Sequence, residues 1–126
     1  MRRSWMGLVL LVVLLLSGLG LSSAMVGKCR EDSEMLTMAA EKALEENWHQ
    51  AAILTARARQ SWSSWEFFRC AMADHKASEE IDVMFTVLEV HGATRNRQWF
   101  AATCQEAARK LEALGDAHRL NLHNLL

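Results

Sequence analysis

The chain has 126 residues and is almost neutral, with 15 acidic and 14 basic side chains and a formal net charge of −1. All of the acids and all but two of the bases follow residue 27, so no part of the chain is strongly basic. This balance excludes the positively charged surface with which proteins bind nucleic acids or anionic lipid headgroups. We therefore expect no nucleic-acid partner.

Residues 4–27 form a run without one charged side chain, preceded by Arg2 and Arg3 and followed by Lys28. As a helix these residues would extend about 36 Å, enough to cross a hydrocarbon core of about 30 Å. The run contains eight Leu and four Val, which favour insertion near the bilayer centre. We expect residues 4–27 to contact the membrane, with 1–27 as an N-terminal transmembrane anchor and 28–126 as a helical domain.

A cleaved secretory signal peptide is the alternative interpretation of the same run. Arg2 and Arg3 would be its basic region, and Ser22, Ser23 and Ala24 match the small residues of a cleavage site. Cleavage near Ala24 would release a secreted, soluble helical protein. The uncharged run is about twice the length of a minimal signal core, which favours a retained anchor.

The positive charges before the run predict its orientation. A short N-terminus carrying Arg2 and Arg3 is expected to stay in the cytoplasm, and charges in a long following segment have little influence. The sequence therefore predicts a single-pass protein of the cell membrane whose body lies outside the cytoplasm. A partner at that location would be another membrane or envelope protein.

The body is predicted to be all-α, a small antiparallel bundle of about four helices. It contains no Pro, and its commonest residues are Ala, Glu, Leu and Arg, which like Met favour helices. Asn47, Thr94 and Asp116 are predicted N-caps, and Gly92 and Gly115 are predicted to end helices. We expect helices near 30–46, 48–72, 74–91, 95–114 and 116–124.

Apolar residues recur at helical spacing along the second and third of these predicted helices. In the second they are Trp48, Ala51, Thr55, Ala58, Trp62, Trp65 and Met72. In the third they are Ala77, Ile81, Met84, Phe85 and Leu88. Trp62, Trp65 and Phe68 could form a stacking surface for a ligand, but aromatic side chains filling a small core explain them better. These positions are the predicted core.

The three cysteines, Cys29, Cys70 and Cys104, have no CxxC spacing. Outside the cytoplasm two of them could pair, and the sequence does not select among the three pairings. Three isolated thiols, with Cys70 and Cys104 buried, are the simpler expectation.

A polar stripe on the third predicted helix is the candidate contact surface. His75, Glu79 and Asp82 are spaced by four and three residues and so share one helical face. One His with two carboxylates could ligate a metal, which makes a metal-binding or enzymatic bundle an alternative. A solvated face or a contact with a partner explains the stripe more simply. We predict no catalytic, cofactor-binding or metal-binding residue, no enzyme activity and no small-molecule substrate.

Several short motifs together resemble domain-of-unknown-function family 4363 of bacteria. They are Asn47-Trp48-x-x-Ala51, the Trp62 and Trp65 segment, His75 followed by Glu80-Ile81-Asp82, and the closing Leu120-Asn121-Leu122-His123-Asn124-Leu125-Leu126. The resemblance implies a short protein with one N-terminal span and a helical body, and it implies no reaction. It also implies that His75, Asp82 and the terminal Asn124-Leu125-Leu126 matter to the fold or to a partner. The sequence thus predicts a non-catalytic interaction or support module.

Overall fold

The computed structural model describes residues 2–66 and 75–125, which contain four helices and no strand. We label them α1 (Arg2–Leu44), α2 (Trp48–Ser64), α3 (His75–Ala93) and α4 (Arg97–Leu125). The all-α prediction is confirmed. The expected junction near Ala73 and Asp74 lies outside the described residues, as do Phe68, Cys70 and Met72.

Consecutive helices run in opposite directions and close into a four-helix bundle. On one side, Ser33 Oγ of α1 donates a hydrogen bond of 3.1 Å to Glu112 of α4. On the other, Lys110 Nζ of α4 lies 2.7 Å from Glu80 of α3. Among the adjacent pairs α1–α2, α2–α3, α3–α4 and α1–α4, the α1–α4 pair packs most extensively and the α2–α3 pair least. This difference leaves one seam of the bundle open.

The core is rich in small residues, which let the helices approach closely. The predicted core positions Ala51, Ala58, Trp62, Ile81 and Phe85 are buried, as expected from their spacing. Trp62 and Trp65 pack edge to face with ring centroids 5.2 Å apart. Helices α1 and α4 supply most of the rest: Met25, Cys29, Leu36, Ala39, Ala40, Ala43, Phe100, Ala101, Cys104, Ala107, Ala108, Leu111 and Leu114.

Two matching turns end α1 and α3. Glu46 and Arg95 both adopt left-handed backbone conformations, with φ of 62° and 51°. The next residue, Asn47 or Asn96, donates its N–H to a carbonyl five residues earlier, at 2.8 and 3.0 Å, as in a Schellman motif. Each asparagine then caps the following helix, since its side-chain oxygen accepts the N–H of Gln50 or Trp99. The predicted N-cap at Asn47 is confirmed.

Two predicted helix boundaries are wrong because the glycines there pack helices instead of ending them. Gly92 lies inside α3, where an added Cβ would be 3.5 Å from the Phe100 ring. Gly115 lies inside α4, where an added Cβ would be 3.3 Å from Cys29 Cβ. Thr94 and Asp116 are consequently not N-caps, and residues 97–125 form one helix rather than two.

Helix α1 joins the apolar run to the bundle without a break. It passes through residue 27, where the sequence places the edge of the anchor, and its first buried core residue is Met25. Residues 2–17 are exposed, and the large apolar side chains from Trp5 to Leu16 cover this part of the surface. By length and composition α1 could cross a membrane, a test that an N-terminal signal sequence also passes.

Candidate binding groove

The open seam between α2 and α3 is bridged by polar contacts. Trp62 Nε1 donates a hydrogen bond of 2.6 Å to an Asp82 carboxylate oxygen. One to two helical turns away, the Arg59 guanidinium forms an ion pair with Glu89. Beyond that pair the helices are separated by a groove of about 520 Å³.

The groove has walls of small residues and an apolar floor. Ala52, Thr55 and Ala56 form the α2 wall, whereas Gly92 and Ala93 form part of the α3 wall. The floor is made of Phe85, Leu88 and Phe100, which are each no more than 3% exposed. Trp48 closes one end by packing edge to face on Phe100, with ring centroids 5.4 Å apart. A groove with small walls and an aromatic floor can bury the apolar face of an elongated ligand.

The groove is lined by more positively than negatively charged side chains. Arg59 and Arg95 both line it, and Glu89 is the one acid among its lining residues. Glu89 already pairs with Arg59. Arg95 is exposed and has no ion pair or side-chain hydrogen bond in the part of the chain that the structure describes. It is held at the mouth of the groove by the left-handed turn, so the groove has an available positive charge at one end.

The predicted contact stripe is adjacent to this groove. His75, Glu79 and Asp82 are all exposed on α3, as their spacing requires. Asp82, however, contacts Trp62 of α2, so part of the stripe bridges the seam instead of facing only solvent. Within residues 2–66 and 75–125, no three His, Cys, Asp or Glu side chains are placed to hold a metal ion. The contact role of the stripe stays a prediction.

A buried acid on α1 was not anticipated from the sequence. Asp32 is 0% exposed and faces α2, where Ser61 and Trp65 lie nearest its carboxylate. Burial raises the pKa of Asp32 to about 6, against smaller lowering effects of Ser61, Lys28 and Trp65. Neither carboxylate oxygen makes a hydrogen bond of acceptable geometry with a described donor. Spacing could have revealed this residue, because Asp32 falls between Cys29 and Leu36 on the apolar face of α1.

The two described cysteines are buried inside the bundle. Cys29 and Cys104 are both 0% exposed. Burial raises the pKa of the Cys104 thiol to about 12, which leaves it protonated at neutral pH. The predicted burial of Cys104 is confirmed, and Cys29 is a core residue as well.

Comparison with known proteins finds no match: no family model matches the chain, and no curated protein or solved structure does. The resemblance to family 4363 stays a prediction. The evidence for what the groove binds is therefore the chemistry of its own lining residues.

Proposed function

We propose that this protein is a membrane-anchored helical module that binds a helical segment of another envelope protein in the groove between α2 and α3. In this proposal residues 4–27 hold it in the cell membrane and the bundle lies outside the cytoplasm. The role is attachment or support of the partner, without catalysis. The observation that carries the proposal is the open α2–α3 seam, in a bundle whose other three consecutive or terminal pairs, α1–α2, α3–α4 and α1–α4, pack more extensively.

The lining of the groove favours a helix with small apolar side chains and one acidic residue. Ala52, Ala56 and Gly92 leave room for the close approach of a helix, and the aromatic floor can take its apolar face. Between Trp48 and Arg59 the α2 wall is about 16 Å long, or three helical turns. An acidic side chain at the end of the bound segment would meet Arg95.

The proposal is tested with a photo-crosslinking amino acid placed in the full-length protein in its native membranes. Ala56 is the test position, because it is exposed and lines the groove. Ala102 is the matched control, because it is an exposed alanine of α4 that does not line the groove. We expect one discrete adduct from Ala56 and at least fivefold less of it from Ala102.

A charge reversal makes the test specific for the occupant. Arg95→Glu should reduce the Ala56 adduct severalfold without changing the helical circular dichroism. Glutamate is compatible with the left-handed backbone there, since Glu46 adopts the same conformation in the matching turn. Equal adducts from Ala56 and Ala102, or an Ala56 adduct that is unaffected by Arg95→Glu, would refute the groove as the binding site.

One observation favours the secreted form as a second candidate. Ala24 is exposed and Met25 is the first buried core residue, so cleavage after Ala24 would leave the whole core in the mature protein. Mass spectrometry of the mature N-terminus decides between the two forms. A start at Met25 would exclude the anchor, and an intact Met1 would exclude secretion by cleavage.

A further inference from the structure

The end of α4 extends beside the apolar part of α1. Gly115 of α4 lies opposite Cys29, and α4 continues ten residues further, to Leu125. At about 1.5 Å per residue this extension is about 15 Å long. Because the two helices are antiparallel, it runs along α1 toward residue 18.

The exposure of α1 changes at the level where α4 ends. Residues 2–17 are exposed, whereas Gly18 and Leu19 are partly covered and Met25 is 4% exposed. Leu19 precedes Cys29 by the same ten residues by which Leu125 follows Gly115. The covered face of α1 therefore begins where α4 ends.

This arrangement shortens the part of α1 that is free of the body. Residues 4–17 alone would span about 21 Å, which is less than a hydrocarbon core of about 30 Å. A span of about 20 residues that starts at Ser4 would reach Ser23, a level already flanked by α4. If α1 crosses the bilayer, the end of α4 must be close to lipid.

We propose that residues 116–125 of α4 form a second membrane contact, located in the phospholipid headgroup layer beside the outer end of the span. This inference rests on the proposed anchoring of α1. The position of the charged groups supports it, because Arg30, Asp116 and Arg119 line a polar cleft at the start of this segment. Arginine can keep its guanidinium at the headgroups while its stem contacts apolar surface.

The composition of the segment also suits an interface between water and lipid. Leu120, Leu122 and Leu125 alternate with polar residues in its last six positions, after the charged Asp116 and Arg119. A segment of mixed polarity is compatible with the headgroup layer at the outer end of the proposed span, and at about 15 Å it is too short to cross the hydrocarbon core. Lipid, rather than a second protein, is therefore the occupant that this surface fits.

The test uses the full-length protein in phosphatidylcholine vesicles that contain a fluorescent phospholipid. A photo-crosslinking amino acid is placed at Ala117, an exposed residue of the segment, and at Ala102, an exposed residue about 22 Å away along α4. Val12, exposed in the middle of the apolar run, reports the span itself. We expect lipid adducts from Val12 and Ala117, with at least fivefold less from Ala102.

The three positions separate failure of this inference from failure of the anchor. Lipid adducts from Val12 without adducts from Ala117 would overturn the second contact and leave the anchor intact. Equal adducts from Ala117 and Ala102 would also overturn it, because the contact would then not be confined to the end of α4. No adduct from any position would refute the anchoring itself and with it the inference.

Discussion

Asp32 should make the bundle less stable as the pH rises from mildly acidic to neutral. Its carboxyl group is fully buried, and burial raises its pKa from 3.8 to about 6. Between these values the folded protein binds more protons than the unfolded chain, so the free energy of unfolding falls with increasing pH. Below pH 3.8 the acid is protonated in both states and this destabilisation is absent.

The size of the effect follows from the two pKa values. At about 1.4 kcal/mol for each tenfold change in the dissociation constant, ionised Asp32 destabilises the fold by about 3 kcal/mol at pH 7.5. At pH 5 the same calculation gives about 1.6 kcal/mol. The side chain of Asp32→Asn cannot ionise. Between pH 5 and pH 7.5 the free energy of unfolding of this variant should therefore fall by about 1.4 kcal/mol less than that of the wild type.

Urea unfolding of the full-length protein in detergent micelles measures this difference, with tryptophan fluorescence as the signal. The change is compared between variants and not taken from the wild type alone, because the wild-type value includes every ionisable group of the protein. Asp116→Asn is the matched control, because it makes the same substitution at an exposed site. The reasoning is refuted if Asp32→Asn and wild type change equally between the two pH values.

Glu80 does not interfere in this range. The hydrogen bond and charge of Lys110 lower the pKa of Glu80 below its ordinary value of 4.5. The stabilisation from such an acid is present at pH 5 and above and is lost only as the pH falls through its lowered pKa. It therefore opposes Asp32 in sign and acts below pH 5.

Three further results are expected from the packing. Gly115→Val should be less stable than Gly115→Ala by about 1–3 kcal/mol, because a Cβ there is already 3.3 Å from Cys29 Cβ and the added methyl groups of valine have no room; urea unfolding of the two variants checks this order. Trp62→Phe should lower the free energy of unfolding by about 2 kcal/mol, because it removes the hydrogen bond to Asp82. A double-mutant cycle with Asp82→Ala should show a coupling energy between the two positions, and additive effects of the two substitutions would contradict the bond. Cys104 should resist maleimide at pH 8 in the folded protein and react in urea, as seen by mass spectrometry, and rapid labelling of folded protein would contradict its burial.

Helical periodicity correctly predicted core residues on α2 and α3, whereas the larger part of the core, on α1 and α4, was not predicted apart from Cys104. The spacing of Ala58, Trp62 and Ile81 placed them inside, and the absence of Pro allowed long helices. The helix ends were harder, because two turns rely on Glu46 and Arg95 in left-handed conformations that glycine or asparagine more often adopts. Without a glycine at these positions, sequence pattern has no strong signal for the turn.

The groove depends on neighbours that a single sequence does not specify. Ala52 and Ala56 look like ordinary helix-forming residues until α3 is placed opposite them. The same holds for Gly115, which looks like a helix end until Cys29 of α1 is placed against it. Whether a small residue lines a groove or allows close packing depends on which helix lies opposite it, and the sequence pattern of one helix does not contain this tertiary information.

The length of α4 is one argument for the proposed anchor over the alternative of a cleaved signal peptide. If the chain were cut after Ala24, the core from Met25 onward would persist, but α4 would still extend well past Gly115. Residues near Leu125 would then have lost the stretch of α1, from Gly18 to Ala24, beside which they run. A helix end with no neighbour has little reason to stay ordered, since isolated short helices are marginal in water. In the proposed intact chain, the extended end of α4 would lie beside residues 18–24 of α1, and each stretch would give the other a neighbour.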